Sequence, residues 1–135
     1  MKTLTIEWKH LDSGGKTCDR CSDTGRALRS TIRELNRKCQ RRGVRFRLKE
    51  TRLTGRRIAK SNAIYIGGRP LESLLPGVKA LETACGSCSE LLGKPTSCRA
   101  LRKGGKNVEA VPASWIREAA CRVAGCECPT GASCF

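Results

Sequence analysis

Histidine occurs once in the chain, at His10, and a single imidazole excludes every metal centre or catalytic dyad that needs two. Acidic residues are also few, 12 against 27 Lys and Arg, and no pair of carboxylates stands where glycoside chemistry would need it. Aromatic residues amount to 4%: Trp8, Phe46, Tyr65, Trp115 and Phe135. Most of these fall at positions that read as buried, which leaves little to stack on the bases of a single-stranded nucleic acid. No apolar run approaches the length of a membrane span, and Met1-Lys2-Thr3-Leu4-Thr5-Ile6-Glu7-Trp8 lacks the apolar stretch of a signal peptide. The expectation is a cytoplasmic protein without a membrane partner. Nothing supports a serine triad, and Gly67-Gly68 belongs to a tight turn rather than to a phosphate-cradling loop.

What is abundant is cysteine and positive charge. Ten cysteines in 135 residues are not needed to hold together a chain long enough to bury roughly two-thirds of its unfolded surface. In a reducing compartment they are mainly thiols, with catalytic, redox or metal-binding uses. The formal charge is +15, and residues 1–60 carry most of it, 18 Lys and Arg against 6 acids. Such a field favours an acidic protein or another polyanion. A solvated basic surface is the plain alternative.

Hydrophobic periodicity sketches the fold. Residues 3–10 alternate, with Leu4, Ile6, Trp8 and His10 on one face, as a half-buried strand does. From about Ser22 to Arg42 the period turns helical: Leu28, Ile32, Leu35 and Cys39 form an apolar stripe. Arg26, Arg29, Arg33, Arg37 and Arg41 run along the other side, and Gly43 stops the helix. Val44, Phe46 and Leu48 alternate as a second strand; Ala63–Ile66 is a third, followed by the Gly67-Gly68 turn. Leu71, Leu74 and Leu75 suggest a short helix ended by Pro76-Gly77, and Val78–Leu92 a further helical stretch interrupted by cysteines. Residues 97–111 read as a hairpin about Gly104-Gly105. Pro112 then opens a last helix bearing Trp115, Ile116, Ala119, Ala120 and Val123, and Gly125 closes it. The expected organisation is one α/β domain over residues 1–125, a central mixed β-sheet with flanking helices, and a cysteine-rich tail over 126–135.

Chemistry concentrates in three groups of thiols. Cys18 and Cys21 stand three positions apart at a strand-to-helix junction, a spacing that closes a disulfide or grips a soft ion. Lys16 and Arg20 favour thiolate there and Asp19 opposes it. Cys85 and Cys88 repeat the spacing and Cys98 follows, giving a second dithiol, or four sulfurs for zinc if the two pairs meet. In the tail, Cys126, Cys128 and Cys134, with Cys121 on the preceding helix, are candidate ligands for a soft ion such as Cu(I), Hg(II) or As(III). Cys39, on the apolar stripe, reads as a small buried hydrophobe. His10 could serve Cys18 as a base or a metal as a nitrogen ligand, a packed core histidine being the alternative.

Strand, thiol pair, helix, strand, then strand, turn and helix is the order of a thioredoxin-like layer. Ile6-Glu7-Trp8-Lys9-His10-Leu11, Thr17-Cys18-Asp19-Arg20-Cys21, Tyr65-Ile66-Gly67-Gly68-Arg69-Pro70-Leu71-Glu72, Cys85-Gly86-Ser87-Cys88-Ser89-Glu90-Leu91-Leu92-Gly93, Cys98-Arg99 and Pro112-Ala113-Ser114-Trp115-Ile116 carry a more specific likeness. Over residues 3–123 the chain resembles the bacterial and archaeal family catalogued as domain of unknown function 2703, which is placed among thioredoxin-like proteins. The resemblance implies that fold and the first thiol pair. Thioredoxins themselves carry a cis proline before the strand facing the pair, where this chain has Lys60-Ser61-Asn62-Ala63. Its absence puts ordinary protein-disulfide reduction in doubt and leaves room for metal.

The functional expectation is a thiol/disulfide redox protein in which Cys18 attacks and Cys21 resolves, meeting a thiol or disulfide partner and needing no cofactor. The alternative is a non-catalytic protein that binds Zn, Cu, Hg or As through cysteine thiolates. A basic nucleic-acid binder is the third reading, without helix-turn-helix or zinc-finger spacing to support it.

Overall fold

In the computed structural model, residues 2–12, 19–39, 42–53, 63–84, 89, 91–93 and 97–125 are described. They form, in order, β1 (Lys2–Leu11), α1 (Asp19–Cys39), β2 (Val44–Leu53), β3 (Ala63–Ile66), β4 (Arg69–Pro70), α2 (Leu71–Leu74), β5 (Val78–Ala84), β6 (Ser97–Lys103), β7 (Lys106–Val108) and α3 (Ala113–Ala124). Four strands make a mixed sheet in the order β2-β1-β3-β4. β1 pairs in parallel with β2 along its whole length, Lys2 opposite Val44 through Leu11 opposite Leu53, and antiparallel with β3. β5, β6 and β7 form a separate antiparallel sheet. The α/β architecture expected from the sequence, a mixed sheet with flanking helices, is present. The expected tail over 126–135 lies outside the described residues.

The alternation of β1 explains the layers. Leu4, Ile6 and Trp8 are buried together with Phe46 of β2 and with Ile64 and Ile66 of β3, and the register sets Ile6 between Leu48 and Ile66, on one face of the sheet. The apolar stripe of α1, with Leu28, Ile32, Leu35 and Cys39, joins the same core, as do Ile116, Ala119 and Ala120 of α3. Parallel strands need a crossover, and α1 provides it between β1 and β2, so it runs antiparallel to both.

Three polar devices fix α1 in place. Along the edge strand β2, the Asn36 amide donates to the Phe46 carbonyl at 3.0 Å, and its oxygen accepts the Phe46 N–H at 2.7 Å. One side chain thus satisfies backbone groups that an edge strand otherwise leaves open. At the other end of α1, the buried Thr24 hydroxyl accepts the Val111 N–H at 3.1 Å and holds the approach to α3. Glu34 ties the helices further along, accepting from Arg117 at 3.1 Å and from Lys38 at 3.0 Å.

A paired substitution separates a useful buried hydroxyl from an idle one. Thr31 is 1% exposed, and among the described residues its hydroxyl meets no hydrogen-bond partner. Thr24→Val is expected to cost about 1–3 kcal/mol, because the buried Val111 N–H loses its acceptor, whereas Thr31→Val is expected to be neutral or stabilising. Urea denaturation of the two variants checks the contrast.

Helix and strand limits move modestly from the sequence reading: α1 begins at Asp19 rather than Ser22 and ends at Cys39. Gly43, at φ 71°, serves the turn into β2. The hairpin around Gly104-Gly105 is present as β6 and β7. So is the last helix, preceded by Pro112 and closed by Gly125 at φ 74°. One expectation is overturned. Val78–Ala84 is a strand, not helix, and pairs with β6 from Val78 opposite Lys103 to Ala84 opposite Ser97. Seven residues between Gly77 and Cys85-Gly86 make too short a segment for a stable helix, and the neighbouring strand supplies backbone partners that local propensity does not record.

Candidate functional site

At the carboxyl end of β1 the inward alternation stops being apolar. Trp8 is 2% and His10 5% exposed, and their rings stack with centroids 4.0 Å apart. The His10 Nε2 lies 2.8 Å from Glu50 Oε2. Glu50 stands opposite Trp8 on β2, and its other oxygen accepts from Arg29 of α1 at 2.9 Å. Arg52 approaches the same carboxylate at 3.7 Å and Asp12 at 3.6 Å. Burial pushes the Glu50 carboxyl up, but the His10 hydrogen bond and charge, with the charges of Arg29 and Arg52, outweigh it and hold Glu50 below its ordinary value.

The helix comes close enough to cover this cluster because residue 25 is glycine. A Cβ at Gly25 would fall 2.5 Å from the outermost carbon of the Trp8 ring, so the indole packs directly against the helix backbone. Arg29 caps the ring from further along α1, its guanidinium 5.5 Å from the centroid. Cys21 sits one turn before Gly25 on the same face and is fully buried. α1 runs opposite to β1, so moving back from Gly25 to Cys21 matches moving forward from Trp8 to His10. Cys21 and His10 therefore share the end of the structure where β1 leads into α1.

The remaining sequence candidates divide by position. Cys18, Cys85, Cys88, Cys126, Cys128 and Cys134 lie outside the described residues. Cys98 is on β6, opposite Thr83. Cys39 is fully buried, as its place on the apolar stripe implied, and it stands about 27 Å along α1 from Cys21 at 1.5 Å per residue. Cys121 is buried in α3, while Cys21 and Cys39 are in no disulfide. Among the described residues, no group of three or more His, Cys, Asp or Glu is arranged to hold a metal, and no helix is long and apolar enough to cross a membrane.

Sequence reasoning found His10 and Cys21 but missed Glu50, Gly25 and Arg29 as their companions. For Glu50 a signal exists. Val44, Phe46 and Leu48 set the inward parity of β2, and the next inward position is a carboxylate. Gly25 stands alone inside a helical pattern, which points to close packing.

Comparison with known proteins gives the chain a family without adding an activity. An uncharacterized protein of Archaeoglobus fulgidus is 35% identical over 117 residues, covering 84% of this chain and 82% of the relative. No solved structure matches the chain. The profile of the family described as "Domain of unknown function (DUF2703)" matches residues 4–120, and the chain belongs to that family.

Proposed function

We propose that this chain is a thioredoxin-like thiol/disulfide redox protein working through Cys18 and Cys21 in a reducing, cytoplasmic setting. Three features support the fold assignment: the strand order β2-β1-β3-β4 with β1 and β2 parallel, the thiol pair placed by the sequence at the start of α1, and a terminal helix in the same core as α1. The observation that carries the chemistry is Cys21, wholly buried in the first turn of α1 at the end of β1 where a histidine–carboxylate pair stands. A buried second thiol cannot meet a bulky substrate. It is suited to attack a neighbouring sulfur.

In the proposed cycle the Cys18 thiolate attacks one sulfur of a substrate disulfide, forming a mixed disulfide and expelling the other sulfur as thiolate. Cys21 loses its proton towards His10 and attacks Cys18, expelling the second substrate thiolate and closing the protein disulfide. The substrate has gained two electrons. An external dithiol returns them to the protein and is itself oxidised. Cationic neighbours favour the anionic states: α1 presents its N-terminus to this end, and Glu50 is held as a carboxylate that orients His10. No cofactor takes part.

Removing the resolving thiol gives the direct test. Cys21→Ser treated with 5,5′-dithiobis(2-nitrobenzoate) is expected to accumulate an aryl mixed disulfide at Cys18, found by peptide mapping, whereas the parent protein passes through it to the Cys18–Cys21 disulfide. If Cys18 stays unmodified in Cys21→Ser, the reading fails. The second reading, a thiolate protein for Zn, Cu, Hg or As, draws on the missing proline at Lys60-Ser61-Asn62-Ala63. It predicts instead that a stoichiometric ion protects both thiols from the reagent.

A further inference from the structure

The charge of the chain is not absorbed where it is densest. The acids nearest to the edge strand β2 are engaged internally: Glu34 with Lys38 and Arg117, Glu50 with His10, Arg29 and Arg52, and Glu7 with the Thr51 hydroxyl at 2.6 Å. Arg45, Arg47 and Lys49 alternate along the outward parity of β2 and are exposed. On the helix side, Arg33 and Arg37 are exposed. Both lie within a turn of Asn36, whose amide clamps Phe46. Arg45 and Arg47 are the strand neighbours of Phe46. The clamp therefore brings two guanidinium groups of α1 and three cations of β2 to opposite sides of one strand edge. None of the five forms an ion pair among the described residues, the one acid in register with them being Glu7, opposite Lys49 and bonded to Thr51.

We infer that this edge is a docking surface for an acidic segment of a partner protein in extended conformation, an inference that stands independently of the thiol chemistry. Spacing supports an extended peptide. Alternate strand residues repeat about every 6.6 Å, and carboxylates on alternate residues of a second extended chain repeat at the same interval. Guanidinium groups suit carboxylates because their planar fork donates two parallel hydrogen bonds. At Phe46 contact is made through side-chain charge rather than strand addition, since Asn36 already occupies the outward backbone groups there. A nucleic-acid strand is the poorer fit because the edge offers no stacking ring: Phe46 and Trp8 are buried, and Tyr65 is covered by the Lys9 ammonium 4.8 Å from its centroid.

The test uses the full chain and a fluorescein-labelled peptide of alternating Glu and Gly, with a single-stranded thymidine oligonucleotide of equal charge as competitor. Arg45→Glu with Arg47→Glu is expected to weaken peptide binding by at least about tenfold, and Arg33→Ala with Arg37→Ala severalfold. Lys106→Glu, an exposed change in the β6–β7 hairpin, is expected to change it by less than about twofold. Unchanged thermal unfolding shows that each variant is folded. Equal loss in Lys106→Glu and in the edge variants overturns the surface as a site and leaves net charge alone. Tighter binding of the oligonucleotide than of the peptide overturns the choice of partner.

Discussion

Trp8→Ala is expected to lower stability by about 3–5 kcal/mol, the usual cost of deleting a buried indole, and Gly25→Ala by about 1–3 kcal/mol through overpacking. The second figure runs against helix propensity, which favours alanine over glycine by about 1 kcal/mol in a helix interior. It follows from one contact: the added methyl would meet the Trp8 ring edge at 2.5 Å, and the ring cannot retreat, being 2% exposed and stacked on His10. The two changes are therefore coupled. In Trp8→Phe the smaller ring no longer reaches the outermost position, so adding Gly25→Ala to that background is expected to cost little or to gain the propensity term. Denaturant midpoints for the two single variants and the double variant measure the coupling. Simple additivity would mean that the indole does not set the approach of α1 to the sheet.

His10→Gln is expected to slow closure of the Cys18–Cys21 disulfide by about 100-fold near neutral pH, within the range for loss of a positioned base, while the first attack by Cys18 changes little. The fully buried Cys21 cannot readily give its proton to bulk water, and His10 is the titratable side chain from β1 at that end. The groups around His10 define its setting: Glu50 and Arg52 from β2, Arg29 from α1 and Asp12 just after β1. Without the imidazole, deprotonation falls to hydroxide, so the deficit should shrink as pH rises. Glu50→Gln should give a smaller defect of the same kind, since it keeps a hydrogen-bond acceptor and loses the charge. Stopped-flow measurement of mixed-disulfide decay against pH separates these effects. A His10→Gln profile parallel to that of the parent at every pH would assign His10 a packing role only.

How much of this was legible in the sequence depended on whether one element or two decided it. β1 was legible because Leu4, Ile6 and Trp8 alternate, and α1 because Leu28, Ile32, Leu35 and Cys39 repeat at helical spacing; each pattern reports its own burial. The last helix was legible from its punctuation, Pro112 and Gly125. β5 was misread, since its strand character comes from pairing with β6, which no local window contains. The site divides in the same way. Cys21 and His10 draw attention by residue type alone. Glu50 belongs with them only because the parallel register brings β2 beside β1, and Gly25 matters only because Trp8 lies against it. Asn36 looks like an ordinary helix-surface residue until the neighbouring strand edge gives its amide two backbone partners.

The central claim is that the Cys18–Cys21 pair at the start of α1 cycles between dithiol and disulfide. It is tested most directly by native mass spectrometry of the full chain, purified anaerobically and examined before and after alkylation, at a series of defined dithiol/disulfide ratios. The account predicts a metal-free species that gains and loses two hydrogens reversibly, with the change mapped to the peptide holding Cys18 and Cys21. A chain that keeps a stoichiometric metal ion until alkylation releases it, and shows no reversible two-electron change in that peptide, would contradict it.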